Sequence, residues 1–171
     1  MQVEQFKKHI FSLSERLYPM VARILGSESL AKDAIQEIMI KLWNQRERLI
    51  GHPNLNGYVF LTARNYCLDQ IKSKKPKYLS EEFLPATKGT AENEILEFQE
   101  FIDIVQDILK KSPLKHREIL ILRDIDGLEY EEIAAVTDLK VSHIRVLLSR
   151  ARKYVQQELI RNFQYEYGGR K

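Results

Sequence analysis

Hydrophobic residues recur every three or four positions through the first part of the chain. Because residues of an α-helix are about 100° apart, this spacing gathers them on one face of each helix. The pattern predicts a helix that ends at Gly26, a second over residues 27–48 and a third over residues 58–73. Residues 51–57, rich in Gly, Pro and Asn, form the loop between the last two.

The same helical spacing resumes in the last part of the chain. A second helical unit begins near Glu92, and Ser112 with Pro113 indicates a helix start, because serine caps free amides and proline tolerates the first turn. That helix ends at Gly127. No alternating pattern of useful length predicts a β-strand.

The segment between these units, residues 74–91, has two prolines, a glycine and no sustained period. Such a composition is typical of a tether. We therefore expect an all-α protein made of two small helical domains, residues 1–75 and 106–171, joined by a flexible acidic linker over residues 76–105.

Composition removes several classes of function. With 44% hydrophobic and 30% charged residues the chain is typical of a globular protein, and neither a membrane-spanning run nor a signal peptide is apparent, so we expect a cytoplasmic protein without membrane insertion. The single Cys67 and four histidines make a metal site improbable, and no cofactor is expected. No paired carboxylates or nucleophile–base set can be assembled, so we do not expect an enzyme.

Charge is unevenly distributed, although the net charge is only +3. Basic residues cluster from Arg64 to Lys77, acidic residues dominate from Glu81 to Asp107, and residues 140–153 contain bases and no acid. Two basic patches thus flank one acidic stretch.

Residues 130–153 divide into a short helix, a turn around residues 137–140 and a longer basic helix. In a helix-turn-helix, the first residues of the second helix reach base edges in the major groove while basic side chains hold phosphates. A solvated basic helix is the alternative, but the absence of acids favours DNA binding. We expect about five phosphate contacts and a log–log salt slope near −4.

The second predicted helix raises a separate question. Ala31, Ile38 and Leu42 fall on its core-facing side, yet Ile40 lies on the opposite side. An isolated exposed isoleucine is common. Here it lies among polar residues that share its face, namely Asp33, Gln36, Glu37 and Asn44.

Several motifs resemble those of bacterial RNA polymerase sigma factors of the sigma-70 family, in particular the extracytoplasmic-function (ECF) subgroup. DAIQE at 33–37 with LW at 42–43 resembles the polymerase-binding motif, and ARN at 63–65 resembles the helix that recognises the minus-10 promoter element. LKHREILILRDIDGLEYEEIAA at 114–135 and SRAR at 149–152 resemble the domain that recognises the minus-35 element. The resemblance covers about residues 15–160, with the motifs in the family's order.

The resemblance implies a promoter-specificity subunit of RNA polymerase that binds promoter DNA and the polymerase core, through the beta-prime coiled coil and the beta flap. The face around Ile40 would contact the coiled coil. It also implies control by an anti-sigma factor and a monomeric state when free of polymerase.

The resemblance also implies two sets of DNA-binding residues. The third helix would hold the minus-10 element, including a base flipped out of the duplex near Asn65. The residues expected at the minus-10 element are Tyr58, Thr62, Arg64, Asn65 and Lys72. Those expected at the minus-35 element are Lys140, Ser142, His143, Arg145, Val146, Ser149, Arg150 and Lys153.

Three positions depart from the commonest family pattern: Glu129 replaces a capping Ser or Thr, Lys140 a Ser, and Leu147 an Arg. These departures affect the expected base preference rather than the docking mode. The chief alternative is a helix-turn-helix regulator that binds an operator as a dimer, which would leave DAIQE and ARN unexplained. A helical adaptor without DNA binding is a second alternative, disfavoured by the acid-free basic stretch.

Overall fold

The computed structural model describes the backbone of residues 1–73 and 92–167, and side chains over residues 1–72 and 99–162. Every regular element of these residues is helical, as the sequence predicts. Residues 76–91 of the predicted linker lie outside the described residues. The remainder of that predicted linker, residues 92–105, belongs to a helix, so its assignment to a flexible linker is wrong.

The first domain contains four α-helices. These are α1 (Val3–His9), α2 (Ser14–Leu25), α3 (Glu28–Asn44) and α4 (Leu55–Ser73), with a 3-10 turn at Phe11–Leu13 after α1. The sequence predicts one helix up to Gly26, whereas the structure interrupts it at Ile10. Ile10 and Leu13 are both buried, so the tighter turn brings two neighbouring apolar residues into the core.

Local hydrogen bonds set the ends of these helices. Gly26 has φ 65°, which only glycine adopts freely, and it ends α2. The Ser27 hydroxyl then accepts the Leu30 amide at 3.3 Å and caps α3. Helix α4 begins three residues earlier than predicted, because the Asn54 side-chain oxygen accepts the Gly57 amide at 2.9 Å.

The second domain also contains four α-helices. Its helices are α5 (Glu92–Lys111), α6 (Leu114–Leu120), α7 (Tyr130–Thr137) and α8 (Val141–Tyr167), with a π-helical turn at Ile121–Ile125 after α6. Ser112 does not cap α6 as predicted. Its hydroxyl donates to the Leu109 carbonyl at 2.8 Å, at the end of α5, and Pro113 occupies the capping position of α6 instead.

The two domains pack directly on each other. Helix α4 lies against α7, and one continuous cluster of buried apolar side chains includes Phe60 of the first domain and Ile133 and Leu148 of the second. The sequence predicts two domains but gives no indication of this contact between them.

Candidate polymerase and nucleic-acid interfaces

Helix α3 presents a solvent-facing strip opposite its buried side. Ala31, Ile38 and Leu42 are fully buried, which fixes the rotation of the helix. Ile40 is consequently 54% exposed, at the centre of a polar surface. We call this strip the α3 face; its exposed residues are Asp33, Gln36, Glu37, Ile40 and Asn44. The structure therefore brings together all five residues predicted to bind the polymerase.

A hollow of about 130 Å³ lies beside the α3 face, between α3 and α4. Leu30 and Ile71 line it together with Asp33 and Glu37. Burial raises the pKa of the Tyr66 hydroxyl at this hollow, and the carboxylate of Glu37 raises it further. Apolar side chains and carboxylates that can accept hydrogen bonds thus line the same hollow.

The α4 residues predicted to bind the minus-10 element differ in their exposure to solvent. Asn65 and Lys72 are exposed, whereas Tyr58 and Thr62 are half-buried. The Tyr58 hydroxyl donates to the Gln45 side-chain oxygen at 2.9 Å, so it is anchored within the first domain.

Arg64, the fifth predicted minus-10 residue, is not free in this structure. Its guanidinium donates to Glu118 of the second domain at 3.1 Å. Three residues further along α4, Cys67 is fully buried, and burial raises its pKa to about 12. Cys67 is thus a small core residue.

Helices α7 and α8 form the predicted helix-turn-helix. Asp138 in the left-handed conformation, φ 57°, ends α7 and reverses the chain into α8. Ile144 and Leu148 are buried against the domain, which turns the opposite side of α8 to solvent. All eight predicted minus-35 residues are exposed. Lys140 directly precedes α8, and the other seven lie on this side of the helix; together they form the α8 face: Lys140, Ser142, His143, Arg145, Val146, Ser149, Arg150 and Lys153.

Two departures from the family pattern have local explanations. Leu147 is 6% exposed and packs in the core, so leucine there serves packing. At Glu129, the start of α7 is stabilised by Glu132, whose carboxylate accepts the Glu129 amide at 2.8 Å.

Side-chain contacts that the sequence does not predict hold arginines beside the α8 face. Arg123 and Arg145 lie over the Tyr130 ring, with guanidinium carbons 4.8 and 5.1 Å from its centroid. Arg152 donates two hydrogen bonds to Asp124, at 2.9 and 2.6 Å, and these raise its pKa. Arg145 is therefore oriented by a ring, and Arg152 by a carboxylate.

Two arginines of α2 also bind carboxylates of the second domain. Arg16 donates to both oxygens of Glu132 at 2.9 and 2.8 Å, and Arg23 binds Asp126 at 2.9 and 2.6 Å. These partners are more than 100 positions apart in the chain, so no local pattern could reveal them.

Each of the two domains matches a known family model. The family model "Sigma-70 region 2" matches residues 10–76, and "Sigma-70, region 4" matches residues 103–155. Together these matches cover well over half of the chain, in the order expected of one protein. The chain belongs to the sigma-70 family.

Curated relatives of this sigma factor are ECF sigma factors. The ECF RNA polymerase sigma factor SigW of Bacillus subtilis is 23% identical over 157 residues, which cover 85% of this chain and 83% of that protein. The ECF RNA polymerase sigma-E factor of Escherichia coli K12 is 27% identical over 167 residues, 90% of this chain and 86% of the relative. These matches confirm the predicted ECF subgroup.

Solved structures confirm the fold of this sigma factor. The sigma factor RpoE, in complex with the anti-sigma factor NepR from Bartonella quintana, matches with a TM-score of 0.60 and 22% identity, over 92% of this chain and 98% of that one. CnrH, in complex with the cytosolic domain of CnrY, matches with a TM-score of 0.58 and 19% identity, over 92% and 89%.

Membership of this family determines the class of function. Sigma factors bind RNA polymerase and direct it to promoter DNA; they are initiation factors rather than catalysts. This is the main function predicted from the sequence, and the comparisons give no support to the alternative of a dimeric operator-binding regulator. Within the described residues, no helix is long and apolar enough to cross a membrane.

Proposed function

We propose that this ECF sigma factor distributes its contacts over three separate surfaces: the α3 face for core polymerase, exposed residues of α4 for the minus-10 element, and the α8 face for the minus-35 element. The observation that carries the proposal is the exposure of Ile40 at the centre of the α3 face, since the remaining large apolar side chains of α3 are buried or half-buried. An exposed apolar side chain within a polar rim resembles the centre of a protein interface.

The α3 face suits a coiled coil of the polymerase beta-prime subunit. Asp33 and Glu37 offer carboxylates that basic side chains of a partner can bind, Gln36 and Asn44 offer amides, and Ile40 offers an apolar contact. Burying Ile40 in the complex would contribute about 1 to 2 kcal/mol, and the carboxylates would mainly steer the approach.

The α4 surface suits unpaired bases of the minus-10 element. Asn65 can hydrogen-bond a base edge and Lys72 can hold a phosphate, because both are exposed. Tyr58 and Thr62 are half-buried and would form the floor of this surface. Arg64 would join it once released from Glu118.

The α8 face suits the major groove at the minus-35 element. Ser142, His143 and Val146 near its amino-terminal end would contact base edges. Basic side chains would hold phosphates along the groove; these are Lys140, Arg145, Arg150 and Lys153.

Binding energy from polymerase is needed to open the promoter. Stacking of about 1.4 kcal/mol per step makes a bubble of roughly ten pairs unfavourable by about 14 kcal/mol. A few captured bases return about 1 to 3 kcal/mol each. The sigma factor would therefore melt DNA only as part of the polymerase complex, in the cytoplasm.

Further partners follow from the family. RpoE and CnrH were solved in complexes, RpoE with an anti-sigma factor, and we propose that an anti-sigma factor also controls this chain. We propose that the second domain, residues 106–171, contacts the beta flap, while residues 1–75 hold the α3 face and the minus-10 surface. When free of polymerase the protein would be monomeric.

Transcription from a promoter library tests this function. Bacterial core polymerase is supplied with the protein or with a Gln36→Ala, Glu37→Ala, Ile40→Ala variant. We expect start sites that depend on the protein, share two spaced motifs and fade with the variant, while duplex minus-35 binding persists. Tight duplex binding without any dependent start site would contradict the proposal.

A single substitution isolates the apolar contact. Ile40→Ala should weaken core binding about five- to thirtyfold, the equivalent of about 1 to 2 kcal/mol. Ile50→Ala is the matched control, because Ile50 is 62% exposed but lies in the turns beyond α3. Titration of labelled protein with core polymerase measures both. Equal effects of the two substitutions would remove Ile40 from the interface.

A further inference from the structure

Arg46 lies in the turn that follows α3, and two contacts restrict its side chain. Its guanidinium carbon lies 4.3 Å from the centroid of the Trp43 ring, and its Nη1 donates to the Trp43 carbonyl at 3.1 Å. Tryptophan offers the strongest cation–π contact of the aromatic side chains. The guanidinium of Arg46 is therefore positioned before any ligand arrives.

Trp43 is itself supported by the first helix. Its half-buried ring meets the buried Phe6 of α1, with ring centroids 5.0 Å apart and planes at 86°. Helix α1 ends at His9, before residue 10, where the match to Sigma-70 region 2 begins. An element outside the matched region thus helps to orient the ring under Arg46.

The charge of Arg46 has no carboxylate partner in the part of the chain that the structure describes. Arg145 on the α8 face is in the same situation, since it too lies over an aromatic ring and forms no ion pair there. A ring orients a guanidinium without neutralising it, so the charge stays available to an anion. The described arginines that do pair with carboxylates are Arg16, Arg23, Arg64, Arg123, Arg152 and Arg161.

The turn places Arg46 beside the α4 surface proposed for the minus-10 element. The preceding residue, Gln45, accepts a hydrogen bond from the Tyr58 hydroxyl at 2.9 Å, and Tyr58 belongs to that surface. Leu49 is 2% exposed and anchors the same turn in the core. Arg46 therefore lies one residue from a direct contact with the α4 surface.

A phosphate of the nucleic-acid backbone is the ligand that suits this group. The planar fork of N–H donors in a guanidinium matches the oxygens of a phosphate, and the Trp43 carbonyl accepts only one of these donors. An acidic group of polymerase fits less well. The neighbouring α3 face presents Asp33 and Glu37, so a partner that matches it would be basic and would match Arg46 poorly.

We propose that Arg46 binds a backbone phosphate of the unpaired minus-10 strand and that Trp43 is the residue that positions it. Arg46 is not among the residues that the sequence predicts to bind DNA or polymerase. The inference deepens the proposed function of the α4 surface and rests on it for its consequence. The contact with a single strand, in contrast, belongs to the chain itself and is measurable without polymerase.

Binding of a labelled strand of roughly twelve thymidines to the free full-length protein tests the contact. One phosphate contact contributes about 0.7 to the log–log salt slope of a single strand, or about fivefold in affinity at about 0.1 M salt. Arg46→Gln should therefore weaken binding about fivefold and reduce the slope by about 0.7.

Arg48→Gln is the matched control for this titration. It removes the same charge from the same turn, but Arg48 is exposed and no ring orients it within the described residues. The control should lose less than about twofold in affinity. Equal losses in the two variants, or no difference between Arg46→Gln and the wild type at any salt concentration, would overturn the proposal.

Trp43 supplies a second readout, because it is the single tryptophan of the chain. Phosphate binding moves the guanidinium that lies over the ring, so the strand should change Trp43 emission in the wild type and in Arg48→Gln but not in Arg46→Gln. An abasic strand keeps the phosphates and should give the same change. A change that persists in Arg46→Gln, or that requires bases, would overturn phosphate binding by Arg46.

Variants of Trp43 test its positioning role. Trp43→Phe keeps a ring and should bind the strand within about twofold of the wild type, whereas Trp43→Leu should weaken binding about two- to fivefold. In an Arg46→Gln background, Trp43→Leu should have no further effect. A loss of the same size in both backgrounds would reduce Trp43 to a structural role, and circular dichroism checks that helix content is unchanged.

Polymerase complexes separate this inference from the proposed function. On a promoter from the library with a premelted minus-10 element, Arg46→Gln should weaken holoenzyme binding about fivefold at about 0.1 M salt, with core binding unchanged. Weaker core binding with unchanged DNA binding would place Arg46 against polymerase and overturn the inference. If the wild type supported no promoter-dependent start, the proposed function would fail, whereas the single-strand titration would still decide whether Arg46 binds phosphate.

Discussion

Tyr130 at the first position of α7 holds two arginines that belong to different elements. Arg123 from the turn before α7 and Arg145 from α8 both lie within about 5 Å of its ring centroid. Each cation–π contact contributes about 0.5 to 1 kcal/mol at an exposed site. Tyr130 therefore restricts where the Arg145 guanidinium can lie before DNA arrives.

Replacing this ring should weaken DNA binding without changing the fold. We expect Tyr130→Leu to weaken binding of a minus-35 duplex about two- to fivefold, because Arg145 loses one cation–π contact. Tyr130→Phe keeps the ring face and should bind like the wild type. Fluorescence anisotropy with labelled duplex measures the affinities.

A double-mutant cycle provides the control. In an Arg145→Ala background, Tyr130→Leu should have little further effect, because the group it positions is already absent. If Tyr130→Leu weakened binding equally in both backgrounds, the ring would act on DNA by another route.

At the residue scale, the sequence predicts correctly which side chains are exposed where this depends only on the face of a helix. Ile40, Asn65 and Arg145 are exposed because the buried residues on the other side of each helix fix its rotation. The amino-acid sequence gives no indication of the partners of Arg64 and Glu132, which depend on how the domains pack. Helical periodicity holds no information about a partner 54 or 116 positions away.

At the scale of elements, the turn between α7 and α8 depends on one unusual backbone conformation. Asp138 is the only described non-glycine residue with a positive φ, at 57°. The left-handed region costs most side chains about 1 to 2 kcal/mol, less for Asp and Asn, whose side chains can hydrogen-bond locally. The angle between the two helices therefore depends on which residue occupies this position.

We expect Asp138→Val to destabilise the protein by about 1 to 2 kcal/mol, because a β-branched residue fits poorly at positive φ. Asp138→Asn should be close to neutral. Urea unfolding followed by circular dichroism measures the free energy of unfolding. Since Asp138 is exposed, lost packing would not explain a difference between the two variants; equal stability would show that this turn relaxes easily.

The elements themselves were predicted well, and their ends less well. Gly26 and Ser27 combine a helix stop with a cap, and the structure keeps both. The start of α4 was misplaced because Asn54 lies among other loop-forming residues, any of which could cap a helix. Ser112 was assigned to the wrong helix, since its hydroxyl can serve either the end of α5 or the start of α6.

At the scale of the whole molecule, motif order identified the family, but the packing of the domains could not be predicted. The arginines of α2 and the carboxylates of the second domain resemble ordinary surface charges in sequence. Their pairing follows from the docking of α4 on α7, a contact between residues far apart in the chain. The exposed surfaces, in contrast, follow from each helix alone.

Promoter opening depends on the whole assembly, and its energy balance leads to a prediction about Asn65. If Asn65 captures an unpaired base, its contribution of about 1 to 3 kcal/mol appears only after the bases have separated. Asn65→Ala should therefore reduce open complexes on duplex promoters about five- to a hundredfold, while core binding and minus-35 binding stay unchanged.

A promoter with mismatched bases across the minus-10 element tests that timing. Mismatched bases are already unpaired, so the free-energy cost of opening, roughly 14 kcal/mol for a fully paired bubble, no longer has to be met. Even the weakened complex should therefore keep its bubble open. Permanganate reactivity of unpaired thymines, measured on matched and mismatched templates, should show a large defect for Asn65→Ala on the first and little on the second. An equal defect in bubble formation on both templates would place Asn65 in a step other than base capture, because the energy it supplies would then be independent of melting.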